Sequence, residues 1–359
     1  MNTIARTILA SLAIGLAAPA VQANEQKVVF GLAGPFAYQQ AHTDVAKALG
    51  YFKEEGLDVQ FRVVVGGSNA VAQTVSQQVL LSNPGIESVI IGKQPGKDAL
   101  PLKFFYNATP TVIWEIVVPA DSAIRNISDL KGKRIGIFGP SASNVPLVKG
   151  ILHDAGVDPQ SQVTLRSIGL GAGALNALKS GAVDAVALFD TEHAAFEASG
   201  FKIRKLAEGP VTKNINSIGL LTREDNLADP ARRALLVKFG RAYAKATLFC
   251  EHNVTACIKL FWQEHPDLKP TGIDEAKALA DGVHVLGARI EKMKLRDFQN
   301  GEYGRYAAAG WQDYVDFLLA KKELEKPVDV NTLYTNDLIA EINRFDRDAV
   351  IRQAKQYSK

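Results

Sequence analysis

From residue 27 onward, short apolar runs alternate with longer stretches whose apolar residues recur every three or four positions. Residues 27–32 (KVVFGL), 58–65 (DVQFRVVV), 88–92 (SVIIG) and 102–106 predict strands. Residues 38–55 predict a helix closing on Gly56, and a second helix follows Gly66-Gly67-Ser68-Asn69 through about Leu81. Strands separated by helices imply βαβ units and a mostly parallel sheet. The plan then recurs. Residues 133–138 (KRIGIF), 162–168 and 183–189 (VDAVALF) predict strands, with helices over 144–155 and 175–180 and a glycine-rich loop over 169–173. Gly31-Leu32-Ala33-Gly34-Pro35 and Gly136-Ile137-Phe138-Gly139-Pro140 each follow a strand and precede a helix, and those helices run into Gly56-Leu57-Asp58 and Gly156-Val157-Asp158. This weak internal repeat predicts two α/β lobes. Extended segments at 114–118 and 217–222 flank the second plan and are the candidate crossings between lobes.

After Pro230 strands vanish. Helical patterns cover 231–251, 253–264, 274–287, 310–320 and 334–347. Their apolar stripes must be buried against something already folded, and the first lobe is the natural partner. The expected division is an export signal over 1–23, a first part of lobe 1 over 24–116, lobe 2 over 117–216, and completion of lobe 1 with the C-terminal helices over 217–359.

The N-terminus adds an address. A short basic region ends at Arg6, residues 8–18 are apolar apart from Ser11, and Val21-Gln22-Ala23 ends in a small residue. That order is a secretory signal peptide with cleavage expected after Ala23. A membrane anchor fits poorly, because a span needs about 20 apolar residues and Pro19 interrupts the run. No cysteine follows the cleavage point to carry a lipid, so the mature chain is expected in the periplasm. At 359 residues, 47% hydrophobic and 22% charged, the chain is globular and long enough for two lobes. A net charge of +3 is too small to argue for a nucleic-acid partner. It is compatible with an anionic ligand without requiring one.

Cys250 and Cys257 are the only cysteines. On one continuous helix their Cα atoms would lie about 10 Å apart, too far for a bridge. A break at Glu251-His252-Asn253, with Asn253 capping the next helix, makes a disulfide possible in an oxidising compartment. Two free buried thiols are the alternative, and either way the role is structural.

Four segments then resemble a known family. Ala48-Leu49-Gly50-Tyr51-Phe52-Lys53-Glu54-Glu55-Gly56-Leu57-Asp58-Val59 is similar to a stretch typical of periplasmic binding proteins of the aliphatic-sulfonate, taurine and nitrate type, in the superfamily that includes thiamine-pyrimidine synthases. Ser128-Asp129-Leu130-Lys131-Gly132-Lys133-Arg134-Ile135-Gly136 resembles the entry to its second lobe. Ala177-Leu178-Lys179-Ser180-Gly181-Ala182-Val183-Asp184-Ala185 resembles the approach to its second-lobe binding strand, and Lys326-Pro327-Val328-Asp329-Val330 with Leu333-Tyr334-Thr335 its C-terminal end. The resemblance implies a type II-like binding protein: two α/β lobes closing on a small molecule, helices of the C-terminal region packed on lobe 1, delivery to an ABC permease in the inner membrane, no cofactor and no turnover. A monomer is expected. One departure stands out. Where the family often has Trp-Glu-Pro or Trp-Asp-Pro, this chain has Phe189-Asp190-Thr191.

The resemblance places the site on the loops after Gly31, Gly66, Gly139 and Phe189, as strand-end binding in open α/β sheets also suggests. Ser141, Ala142, Ser143 and Asn144 precede a helix, where free N–H groups and the dipole hold an anion; plain capping by serine is the alternative. Ser68 and Asn69 occupy the equivalent place in lobe 1, beside Pro35 in its first loop and Gly92 at the end of a predicted strand. Phe36, Tyr38, Trp114 and Phe189 are candidates to wall a ring-bearing ligand, with core packing an equal alternative. Asp190 can accept from a ligand amine or hydroxyl, or bridge the lobes. Its charge weakens the case for an anion, so a sulfonate, sulfate ester or aromatic carboxylate is the first expectation and a neutral nitrogen heterocycle such as a pyrimidine the second.

Other chemistries fit less well. Gly169-Leu170-Gly171-Ala172-Gly173-Ala174 matches G-x-G-x-x-A with Asp190 about 20 residues on, but Gly181 cuts the following helix short and the chain is exported. Gly66-x-Ser68-x-Ala70 and Gly139-x-Ser141-x-Ser143 lack the last glycine of a nucleophile elbow. The six histidines show no metal-ligand spacing, and the synthases' cysteine-rich motif is absent. A periplasmic sensory receptor would share every feature of an importer's binding protein.

Overall fold

The computed structural model describes residues 25–97, 100–213 and 215–358; the signal peptide expected over 1–23 lies outside them. The first unit runs β1 (Gln26–Leu32), α1 (Ala41–Ala48), α2 (Tyr51–Glu54), β2 (Leu57–Val63), α3 (Gly67–Val75), β3 (Leu81–Ser82), α4 (Glu87–Gly92) and β4 (Leu102–Thr109). The second runs β5 (Trp114–Pro119), β6 (Arg134–Ile137), α5 (Val145–Asp154), β7 (Thr164–Ser167), α6 (Ala172–Lys179), β8 (Ala185–Phe189), α7 (Asp190–Ala198) and β9 (Ile203–Lys205). The chain returns through β10 (Ile218–Arg223) to α8 (Glu224–Ala228), α9 (Pro230–His252), α10 (Val254–Glu264), α11 (Glu275–Glu291), α12 (Ala308–Ala320), α13 (Ile339–Ile342) and α14 (Arg347–Gln356).

Two five-stranded sheets result, ordered β2-β1-β3-β10-β4 and β7-β6-β8-β5-β9. Position by position the orders match, so the repeat read from the loops is a repeat of topology. The expectation of a mostly parallel sheet needs correction. β1 runs parallel to β2 and β3, and β6 to β7 and β8, whereas β10 and β5 each lie antiparallel to both neighbours. These two are the segments taken as crossings. Each is a strand inside a sheet that the chain enters from the other unit, which reverses its direction.

Residues 88–92 are not a strand either. A short apolar run fits a buried helix as well as a strand, and the turn at Pro84-Gly85 starts α4, whose Val89 and Ile90 are fully buried. The strand of that region is β3, inside the end of a predicted helix. The predicted helix over 334–347 is only the single turn α13; α14 follows, capped by Asp346, whose Oδ1 accepts from the Ala349 N–H at 2.9 Å.

One core lies between the first sheet and the C-terminal helices: Phe30 of β1 meets Phe239 of α9 edge-on at 5.0 Å. α12 packs elsewhere. Its Trp311 lies 5.7 Å from Phe104 of β4, and its Phe317 sits where Gly150 of α5 leaves room, since a Cβ at Gly150 would come within 2.6 Å of that ring. α11 contacts both α10 and α7. The helical region therefore packs on the first unit and also reaches the second along two helices.

α9 ends at His252, and Asn253 breaks the helix and caps α10, its Oδ1 accepting from the Ala256 N–H at 2.9 Å. The break brings the Cα atoms of Cys250 and Cys257 to 5.7 Å, and the two are bridged. Closing so short a loop stabilises the fold by about 2.5 kcal/mol in the chain-entropy account. Cys250→Ser/Cys257→Ser should therefore lose about that much in urea unfolding, and the wild type should show no free thiol when denatured without reductant.

Candidate ligand-binding cleft

The cleft between the two sheets is walled by the ends of their strands and by two C-terminal helices. It holds about 800 Å³ of empty space counting its open mouth. From the first unit come Ala33 and Gly34 after β1, Gln39, Gln40 and His42 at the start of α1, Gly66 and Gly67 at the start of α3, and Asn83 and Gly85 after β3. Asn83 joins two of these loops: its Oδ1 accepts from the Ala33 N–H at 2.9 Å and its Nδ2 donates to Gln40 Oε1 at 3.3 Å. The second unit supplies Phe138, Ala142, Ser143, Asn144, Leu170, Leu188 and Phe189. Thr109, Ile113 and Trp114 line the crossing, and Tyr243 of α9, Arg289 of α11 and Met293 close the far side.

At one edge the units touch. The Ser143 hydroxyl accepts from the Gly85 N–H at 3.2 Å and lies 3.1 Å from the Ser88 hydroxyl, while the Ser68 N–H donates to the Ser141 carbonyl at 3.4 Å. Only glycine fits opposite. A Cβ on Gly67 would meet the Ser143 hydroxyl at 1.8 Å, and one on Gly66, whose φ of 89° itself favours glycine, would meet that of Ser141 at 2.2 Å.

A second contact between the units is ionic. The Asp190 carboxylate, at the start of α7, accepts from Arg289 Nη2 at 2.7 Å and from Nε at 3.1–3.2 Å, with both side chains buried. Beside it Glu115 of β5 meets Lys292 at 2.9 Å, Lys205 at 3.1 Å and His193 at 3.1 Å. Burial alone would raise the Glu115 carboxyl, but the His193 hydrogen bond and the two ammonium groups outweigh it and hold it well below the usual range.

Two more buried groups are perturbed. His42 Nε2 lies 2.5 Å from the Tyr243 hydroxyl, and its pKa is lowered to about 3 by burial and by Arg289. Glu87, at the start of α4, takes hydrogen bonds on Oε1 from Trp114 Nε1 (2.9 Å) and Tyr314 (3.0 Å), and burial pushes its pKa up to about 8. Between about pH 4.5 and 8 the folded protein keeps a proton on Glu87 that the unfolded chain has lost. The stability this contributes is full below pH 4.5 and lost as pH rises through 8, at up to about 1.4 kcal/mol per pH unit. Glu208, raised by burial to about 7, acts in the same sense. Urea unfolding across pH 5–8 should show falling stability, and Glu87→Gln should flatten the slope.

Of the residues singled out in the sequence, Trp114, Ala142, Ser143, Asn144 and Phe189 line the cleft. Ser141 and Ser68 meet each other at its edge through their backbones, and Asp190 is taken by Arg289. Asn69 is exposed and donates to the Val65 carbonyl, and Pro35 is exposed. Phe36 packs on Phe61 and His265, Tyr38 accepts from Trp262 Nε1 at 3.2 Å, and Gly92 faces Leu100. Unforeseen wall residues are Gln39, Gln40, His42, Asn83, Tyr243 and Arg289. The loop at Gly171 is closed to phosphate, because its N–H donates to the Glu192 carboxylate at 2.7 Å. Among the described residues no group of three or more His, Cys, Asp or Glu side chains is placed to hold a metal, and no helix is long and apolar enough to cross a membrane.

This architecture is the fold of periplasmic binding proteins. A family model described as NMT1/THI5 like matches residues 39–253. YtlA of Bacillus subtilis (strain 168) is 28% identical over 241 residues, 65% of this chain and 70% of that protein. The formylaminopyrimidine-binding protein of Halalkalibacterium halodurans is 25% identical over 289 residues, 79% of this chain and 82% of that one. Among solved structures, the alkanesulfonate-binding protein SsuA from Xanthomonas axonopodis pv. citri, bound to MOPS, superposes with a TM-score of 0.64 at 20% identity, over 86% of this chain and 98% of that one.

Proposed function

The chain belongs to the NMT1/THI5-like family, and on that premise we propose that it is the periplasmic solute-binding component of an ABC importer, carrying a small, flat, neutral nitrogen heterocycle. Residues 1–23 direct export, lobe 2 spans 117–216 with the rest forming lobe 1, and the monomer captures its ligand by closing the lobes and presents it unchanged to an inner-membrane permease. Ligand shifts the open–closed equilibrium by its preference for the closed form.

The state of Arg289 carries the choice of ligand. It is the one cationic side chain among the described residues that line the cleft, and buried Asp190 already neutralises it. An incoming anion would give up its hydration without gaining a free counter-charge. A flat ring finds better complements. Trp114, Phe138 and Phe189 offer aromatic faces, and the amides of Gln39, Gln40, Asn83 and Asn144 offer donors and acceptors for a heterocycle's edge. The name of the relative that binds formylaminopyrimidine supports the same class. The organic anion, first in the reading of the sequence, thus becomes the second choice.

The test is a thermal-shift and calorimetric screen of the mature protein against pyrimidines, flavins, alkanesulfonates and aromatic acids. A true ligand at a hundredfold excess over Kd adds about 2.7 kcal/mol, a shift of several degrees. Pyrimidines or flavins should stabilise and be recovered unaltered. Stabilisation by sulfonates alone would overturn the ligand class, and conversion of the bound molecule would overturn the reading as a carrier.

A further inference from the structure

Most fully buried polar side-chain atoms of the described cleft wall have a partner within the protein, and His42 holds an exception. Its Nδ1 is buried and has no hydrogen-bond partner among the described residues, on a side chain that lines the cleft. The protonation of that atom follows from its neighbour. Tyr243 is buried, and burial pushes its pKa above the ordinary phenol value, so the phenol keeps its proton. Its hydroxyl has one hydrogen-bond partner among the described residues, His42 Nε2 at 2.5 Å. With Tyr243 as donor and Nε2 as acceptor, the buried O–H is satisfied within the protein. His42 is held neutral by burial and by the nearby Arg289, which leaves its single ring proton on Nδ1.

We propose that His42 is the specificity-determining donor of the cleft, presenting Nδ1–H to an sp² acceptor on the ligand, with Tyr243 as the positioning residue that fixes the tautomer. The proposal rests on the heterocycle reading and narrows it. The ligand turns a ring nitrogen or a carbonyl oxygen toward α1, and a group that can only donate is rejected there, because it would face an N–H with no lone pair to offer. Arg289, positive and adjacent, favours the same polarity. Turning the ring over to offer Nε2 instead would cost His42 its hydrogen bond to Tyr243.

Two measurements decide it, with formylaminopyrimidine as probe. In nitrogen-15 spectra of the wild type, His42 should be the Nδ1–H tautomer from pH 5 to 8. Its Nδ1 resonance should move on adding the probe while Nε2 stays, and Tyr243→Phe should mix the tautomers. By calorimetry His42→Phe should weaken binding about 10- to 100-fold, and His42→Asn, which keeps an N–H donor, should recover part of the loss. An Nε2–H tautomer, or a probe that binds without moving Nδ1, overturns the proposal even if His42→Phe fails to fold. Unchanged affinity in a folded His42→Phe overturns the His42 assignment and leaves the heterocycle reading standing. A wild type that ignores the probe and every other heterocycle removes both.

Discussion

Gly67→Ala should abolish efficient ligand capture while leaving both lobes folded. The new Cβ would stand 1.8 Å from the Ser143 hydroxyl and 3.2 Å from its Cβ, so the lobes cannot approach as closely at that edge. When the cleft is open only the Ser88 hydroxyl of the same lobe stays close, 3.0 Å from the new Cβ, and it can rotate aside; Gly67 is not among the positive-φ glycines, and it begins a helix, where alanine is the better residue by about 0.8–1.0 kcal/mol. Overpacking of this kind costs about 1–3 kcal/mol, and the closed form alone bears it, so affinity should fall by about 10- to 100-fold with the ligand-free melting temperature unchanged or slightly higher. Small-angle scattering should no longer show compaction on adding ligand. Ser143→Gly removes the opposing atoms and should restore binding in the double variant. A Gly67→Ala protein that binds like the wild type would mean that the Ser143 contact is incidental to closure.

That contact also explains why the most attractive sequence candidate had the wrong partner. Two serines before a helix look alike whether they hold an anion, cap the helix or meet a neighbouring lobe, and residue type does not separate these roles. The neighbour's glycines do, but Gly67 and Gly85 read as turn residues until a serine is seen opposite them. Strand-end positions are legible through the fold rule, which singles out Trp114, Asn144 and Phe189, and all three line the cleft. Phe36 and Tyr38 sit just past a strand end too, yet Phe61, His265 and Trp262 draw them into the core. Tyr243 and Arg289 lie on C-terminal helices, where periodicity reports an apolar stripe and says nothing of which distant loop it meets. His42 left a faint trace: Gln39, Gln40, His42, Thr43 and Asp44 bury five polar side chains in one helix start. Strand direction left none, since alternation is the same in parallel and antiparallel pairs, and so the two reversed strands stayed hidden.

Asp190→Asn should change the class of molecule the cleft accepts. The wild-type pair is buried on both sides, and removing one charge leaves the other without compensation, at a cost of about 3–5 kcal/mol. The two halves are not equivalent. Asp190 keeps other support, since its Oδ1 also accepts from the Thr191 N–H at 2.8 Å, Lys292 lies 3.9 Å from Oδ2, and α7 begins at this residue with its positive dipole end. Arg289, among the described residues, has only the face of Phe189, 6.0 Å away. Asp190→Asn should therefore destabilise more than Arg289→Met in urea unfolding, while Asp190→Leu/Arg289→Met should return close to wild type, as buried pairs replaced by apolar residues often do. The freed guanidinium then lines the cleft with an unmatched charge. An alkanesulfonate that leaves the wild type unchanged should stabilise Asp190→Asn and recover part of the lost stability through the binding linkage. If the wild type already binds sulfonates as well as the variant does, Arg289 is free to leave Asp190 on closure, and the ion pair cannot be what excludes anions.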